Sequence, residues 1–125
     1  MLATLETYAV LPAKDLQRAR QFYKEKLGLE PAAEDEGKLV YKSASGATFS
    51  IYETGNAGTA QNTAMGWSVK DLEAEVADLR SRGIVFEEYD LPGLKTVNGI
   101  TAQGNEKAAW FKDSEGNILC LSQTS

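Results

Sequence analysis

The feature that most constrains this chain is an internal repeat. Ala13-Lys14-Asp15-Leu16 returns as Val69-Lys70-Asp71-Leu72, each time after a short apolar run and at the start of an amphipathic segment. Each segment runs into a glycine, in Leu27-Gly28-Leu29 and in Arg82-Gly83-Ile84. Each half then carries a glycine-initiated strand, Gly46 to Tyr52 and Gly116 to Leu121. A duplication of this kind sets the architecture before any other motif is weighed. The repeated unit reads β-α-β-β-β, and two copies of it define an α+β chain.

Local signals agree. Asp15 and Asp71 are side chains suited to an N-cap. After Asp15, Leu16, Ala19, Tyr23 and Leu27 share one helical face; after Asp71, Leu72, Val76 and Leu79 do the same. Strands are expected at Thr7–Leu11, Lys38–Lys42, Thr48–Glu53, Ala64–Val69, Ile84–Glu87, Ala108–Lys112 and Asn117–Ser122. The domain reading is one domain over 1–125, with a first module at 5–54, a linker at 55–62 and a second module at 63–123. Half of a 125-residue chain buries too little surface to be secure alone, so the halves need each other or a second subunit.

The copies differ in one place. The capping Asp15 and Asp71 stand 56 positions apart, whereas Gly46 and Gly116 stand 70 apart. Some fourteen extra residues therefore lie between the helix and the last strand of the second half. Tyr89 to Asn105, with Leu91-Pro92-Gly93, is the expected site. It reads either as a tolerated surface loop or as a lid over a ligand.

Composition removes whole classes of function. The chain has no histidine and one cysteine, Cys120. Ser-His-Asp and Cys-His nucleophilic sites are thereby excluded, as are zinc or iron centres built on imidazole. A single cysteine forms no internal disulfide, and no basic-then-apolar leader opens the chain. Both fit a cytoplasmic protein. The net charge of −5 disfavours nucleic acid. No apolar stretch approaches the length of a membrane span.

The residues carry a family resemblance. Asp15-Leu16, the helix with Phe22-Tyr23, and Leu27-Gly28-Leu29 resemble the first half of the vicinal oxygen chelate superfamily. Trp110-Phe111-Lys112-Asp113-Ser114-Glu115-Gly116-Asn117 resembles that superfamily's closing F-x-D-P-x-G-N hairpin, with Ser114 in place of proline. The superfamily includes glyoxalase I, extradiol dioxygenases, fosfomycin-resistance enzymes and bleomycin-resistance proteins. The resemblance implies paired βαβββ modules, a glyoxalase/bleomycin-resistance fold, with curved mixed sheets enclosing a cavity. Metal-binding members place ligands early in each module's first strand and late in its last. Those slots fall here on Tyr8, Ala64, Ser50 and Cys120, a poor donor set. The resemblance therefore points to the metal-free, bleomycin-resistance-like branch, with no cofactor, no catalytic residue and a homodimer as the unit.

Strand parity indicates where a ligand would sit. Met65, Trp67 and Val69 form one face, and Ala64, Gly66 and Ser68 the other. Applied to every strand, the rule gathers Tyr8, Ser50, Tyr52, Gly66, Ser68 and Cys120 onto a roomy, aromatic, weakly polar face. Trp110 joins them because it alternates with Phe111, and Tyr41 is a further candidate pocket wall or an ordinary strand residue. Such a face suits a hydrophobic aromatic ligand, such as an antibiotic, held for resistance or self-protection. Leu91, Pro92 and Gly93 would be the lid. The competing expectation is a glyoxalase-like lyase or isomerase using Tyr8 with a carboxylate such as Glu53.

Overall fold

The computed structural model describes residues 1–124. After a short 3-10 turn at Leu2–Thr4 come β1 (Tyr8–Ala13), α1 (Leu16–Leu27), β2 (Ala33–Asp35), β3 (Lys38–Lys42) and β4 (Thr48–Glu53). The second half contains β5 (Thr63–Ser68), α2 (Leu72–Ser81), β6 (Asp90–Leu91), β7 (Leu94–Lys95), β8 (Thr101–Gln103), β9 (Glu106–Lys112) and β10 (Ile118–Thr124). The first sheet runs β1-β4-β3-β2 and the second β5-β10-β9-β8. The two orders coincide when β1 is matched with β5, β4 with β10, β3 with β9 and β2 with β8. Each sheet is mixed, because β1 joins β4, and β5 joins β10, in parallel.

Each helix begins where its Asp accepts a backbone N–H: Asp15 from Arg18 and Asp71 from Ala74, both at 3.1 Å. These bonds satisfy donors that have no partner inside the helix. Helix α1 ends at Gly28, whose φ of 70° is the left-handed conformation that glycine adopts without penalty. The expected faces are the buried ones: Leu16, Ala19 and Tyr23 on α1, and Leu72, Val76 and Leu79 on α2. Leu11, Ala13, Leu39, Tyr41, Phe49 and Ile51 of the first sheet join them in one apolar core. Phe111, Leu119 and Leu121 of the second sheet belong to the same core.

The length difference between the copies falls between helix and second strand. Residues 28–32 separate α1 from β2, and residues 82–100 separate α2 from β8. The added segment includes the β6–β7 hairpin, with Pro92-Gly93 at its turn. The strand expected at Ile84–Glu87 is only a single bridge from Phe86 to Phe111. Residues 54–62 cross between the modules, and they pack closely: Ala57 is buried, and a Cβ at Gly58 would lie 3.1 Å from the Glu115 carbonyl.

The β9–β10 turn fastens the second module to the first. Asp113 is buried, and its carboxylate accepts from the Tyr23 hydroxyl at 2.7 Å and from Asn117 Nδ2 at 2.9 Å. Asn117 Nδ2 also reaches the Pro12 carbonyl at 2.9 Å. Glu115 accepts from the backbone N–H groups of Lys14 and Asp15 at 2.9 and 3.0 Å. The Arg18 guanidinium donates to both of its oxygens, at 2.8 and 2.9 Å. Burial alone would push the Glu115 carboxyl up. Arg18, the Asp15 N–H and the Ser114 hydroxyl outweigh it and hold the group at about 2.

Candidate functional site

Each sheet covers its helix with one face and turns the other away. On the first sheet, the register Tyr8↔Thr48, Val10↔Ser50 and Pro12↔Tyr52 puts Tyr8, Val10, Ser50 and Tyr52 on the outward face. Ser50 is buried there at the sheet's centre, while Tyr8, Val10 and Tyr52 remain 65%, 49% and 42% exposed. On the second sheet, Gly66↔Cys120, Ser68↔Ser122 and Cys120↔Trp110 place Gly66, Ser68, Trp110 and Cys120 on the outward face. The expected site residues thus fall into two groups, one on each sheet.

Tyr41 is a correction. Its register partner is Phe49, with the rings stacked at 4.9 Å, and both face α1. Tyr41 is 1% exposed and lies in the core beside Tyr23. Its hydroxyl is buried without a hydrogen-bond partner, and burial pushes its pKa up to about 12. Tyr41 therefore lines no ligand face.

Of the second group only Trp110 lines a cleft on this face; Gly66, Ser68 and Cys120 are not among its walls, and Ser68 borders a groove on the helix side instead. Trp110 is half-buried, and its indole N–H donates to the Thr63 hydroxyl at 3.1 Å. Tyr89 meets the Trp110 ring edge-to-face at 5.6 Å. With its ring held from both sides, Trp110 floors a cleft of about 200 Å³ whose walls include Gly93, Leu94, Thr101, Gln103, Glu106 and Ala108. A Cβ at Gly66 would lie 2.9 Å from the Cys120 carbonyl oxygen, so only glycine fits that strand contact. Burial raises the pKa of the Cys120 thiol, and the Ala109 N–H opposes that only partly, so the sulfur is a poor nucleophile.

The hairpin beside this cleft is pinned. Thr96 is buried, accepts the Tyr89 N–H at 2.8 Å and donates to Glu88 at 2.7 Å. The same Glu88 oxygen accepts the Gly99 N–H at 2.6 Å. These two donors hold the Glu88 carboxyl below its usual range. Arg80 adds a bond to the Asn98 carbonyl at 2.6 Å. Of the three expected lid residues, Gly93 lines the cleft, whereas Leu91 and Pro92 are exposed on the hairpin. Glu88 thus has a structural task, and its neighbour Glu87 pairs with Lys112 at 3.5 Å.

Two chemistries do not fit these positions. Tyr8, Ser50, Ala64 and Cys120 are the residues that the family resemblance assigns to metal-ligand positions. Ala64 has no donor atom, and an alcohol, a phenol and one thiol do not make a divalent-cation site. Among the described residues, no three His, Cys, Asp or Glu side chains gather as a metal site requires. The acid–base pair expected from Tyr8 and Glu53 fails on distance. Tyr8 pairs with Thr48 at one end of β4 and Glu53 closes the other, about 16 Å away at the usual strand rise. Among the described residues, no helix is long and apolar enough to cross a membrane.

These features define a protein of the glyoxalase fold with a cleft on one of its two four-stranded sheets. The chain belongs to the Glyoxalase/Bleomycin resistance protein/Dioxygenase superfamily, whose family profile matches residues 7–121. No curated protein matches its sequence. Among solved structures it is similar to a glyoxalase/bleomycin resistance protein from Catenulispora acidiphila, at 23% identity and TM-score 0.67 over 98% of this chain and 100% of that one. It is also similar to the fosfomycin resistance protein FosX from Listeria monocytogenes, solved with Mn(II) and sulfate, at 15% identity and TM-score 0.71 over 100% and 93%. A glyoxalase/bleomycin resistance protein/dioxygenase from Alicyclobacillus acidocaldarius shares 16% identity and a TM-score of 0.70 over 97% and 92%. At these identities the likeness speaks for the fold.

Proposed function

We propose that this protein binds a hydrophobic aromatic small molecule beside Trp110 and holds it without chemical change. The observation that carries this reading is the fixed Trp110 ring at the floor of a cleft walled by Leu94 and Ala108. An aromatic plate whose walls combine Leu94 and Ala108 with Thr101, Gln103, Glu106 and Lys107 suits a flat ring system that carries polar substituents. Resistance by sequestration is the biological role in view, because the family takes in bleomycin resistance proteins and FosX is named for fosfomycin resistance.

The binding unit in this reading is a homodimer. A cleft of about 200 Å³ is smaller than the ~300–1,000 Å³ of sites that enclose a drug-sized molecule. The exposed Tyr8, Val10 and Tyr52 of a second copy supply the missing aromatic wall and lose their own exposure to water in the process.

A tryptophan-fluorescence titration against aromatic natural products, with bound ligand recovered for mass analysis, tests this reading. Saturable quenching and an unchanged ligand mass are expected. Trp110→Ala should weaken binding by about 1–3 kcal/mol, and sedimentation should show dimers that Val10→Asp dissociates. A changed ligand mass would make the protein an enzyme. Equal binding by Trp110→Ala would remove the cleft from consideration.

A further inference from the structure

We propose a second ligand site, on the helix side of the second sheet, that takes a one-ring hydrophobic amine. The site is a groove of about 270 Å³ where the two modules meet, lined by Leu27, Leu29, Trp67, Glu75, Leu79 and Leu121 among others. It is independent of the Trp110 cleft, because Trp67 and Trp110 lie on opposite faces of the sheet.

The groove exists because the repeat packs its two edge strands unequally. In β1, Leu11 and Ala13 are 1% and 0% exposed beneath α1. In β5, Met65 and Trp67 face the same way and are only half-buried, as is Val69 just beyond the strand. Among the described residues, strand β5 is an edge, with β10 on one side and no strand on the other. Leu27 and Leu29, at the end of α1, and Leu79, on α2, leave an open apolar slot over it. An indole and several leucines lining a slot accessible to solvent favour an apolar occupant.

Charge selects its chemistry. The other acids of α2 are engaged: Asp71 caps Ala74, Glu73 pairs with Lys107 at 2.7 Å, and Asp78 pairs with Arg82 at 3.3 Å. Glu75 lines the groove, and among the described residues its carboxylate has no hydrogen bond or ion pair. A free carboxylate on a groove that an indole also lines attracts an ammonium group, repels an anion and offers a neutral alcohol only a hydrogen bond. The volume, just below that of drug-sized sites, limits the apolar part to about one ring.

The chain has two tryptophans, so Trp110→Phe leaves Trp67 as the sole reporter. This variant is titrated at low salt with 4-phenylbutylamine and with neutral 4-phenylbutanol. The expected result is a saturable change in Trp67 emission, with the amine about three- to fivefold tighter. Glu75→Gln should abolish that preference. A Trp67 signal that does not saturate with the amine, equal affinity for amine and alcohol, or a preference that survives Glu75→Gln would overturn the proposal. In the unaltered chain the amine should shift the methyl resonances of Leu79 and Leu121 and not those of Leu94. The reverse pattern would place the amine in the Trp110 cleft and also overturn it.

Discussion

Replacing Glu115 with Gln tests whether one buried carboxylate fastens the second module to the first. The folded protein holds this group at about 2 against an ordinary value of 4.5. At 1.36 kcal/mol per pKa unit, that difference corresponds to roughly 3 kcal/mol of stabilisation at neutral pH. The Glu115 side chain is fully buried, but that of Arg18 is 53% exposed. Solvent screens such a half-exposed partner, so about 2 kcal/mol is the expected loss in Glu115→Gln. The amide oxygen can still accept from Lys14 and Asp15, whereas the charge opposite Arg18 is gone. Urea unfolding at pH 7 should show a lower midpoint with an unchanged slope. The sign with pH follows from the depressed pKa. The stabilisation is fully present above about 4.5 and is lost as pH falls toward 2. Parent and variant should therefore differ by a constant amount from pH 5 to neutrality and converge below it. Equal stability at pH 7, or a gap that persists at pH 2, would refute the reasoning.

Three further substitutions probe separate contacts. Gly66→Ala places a methyl 2.9 Å from the Cys120 carbonyl, and thermal unfolding should show a loss of about 1–3 kcal/mol. Tyr41→Phe removes a buried hydroxyl that has no partner, so stability should hold or rise by up to about 1 kcal/mol. In alkaline absorbance titration, the same variant should lack the tyrosine that ionises near pH 12. Thr96→Val deletes the bonds to Glu88 and Tyr89. Hydrogen exchange at the Tyr89 and Gly99 amides should then accelerate while the core of β10 stays protected.

Helix faces and caps were legible because they rest on local spacing. Asp15 and Asp71 each find their acceptor role within three residues, and the 3.6-residue period exposes Tyr23 and Val76 directly. The sequence leaves Tyr41 open between pocket wall and ordinary strand residue because both faces of Lys38–Lys42 are partly apolar. Leu39 and Tyr41 alternate with Val40, and only the pairing of Tyr41 with Phe49 across the sheet decides which face packs on α1. Strands β2 and β8 went unread because Ala33–Asp35 and Thr101–Gln103 are three-residue edges with no apolar alternation. The role of Glu115 was invisible for another reason: Arg18, its partner, lies 97 positions away. Its only trace in the sequence is its place in the closing motif from Asp113 to Asn117.

The repeat also explains why the cleft belongs to one module only. By strand register, Val40 pairs with Ser50 in the first sheet as Trp110 pairs with Cys120 in the second. Val10 opposite Ser50 corresponds in the same way to Gly66 opposite Cys120. Relative to the first module, the second thus carries a large ring on its third strand and no side chain on its edge strand. A large ring standing out of a sheet leaves a step in the surface, and a step becomes a cleft only if something stands beside it. The segment inserted between α2 and β8 supplies that wall through Gly93 and Leu94. Glu88 and Thr96 hold it in place at the segment's base. The first module has five residues at the same point and builds no such wall. Its outward face stays open, with Tyr8 and Tyr52 exposed. Two features confined to the second copy, the Trp110 ring and the inserted wall, therefore bound the cleft on one of two similar sheets.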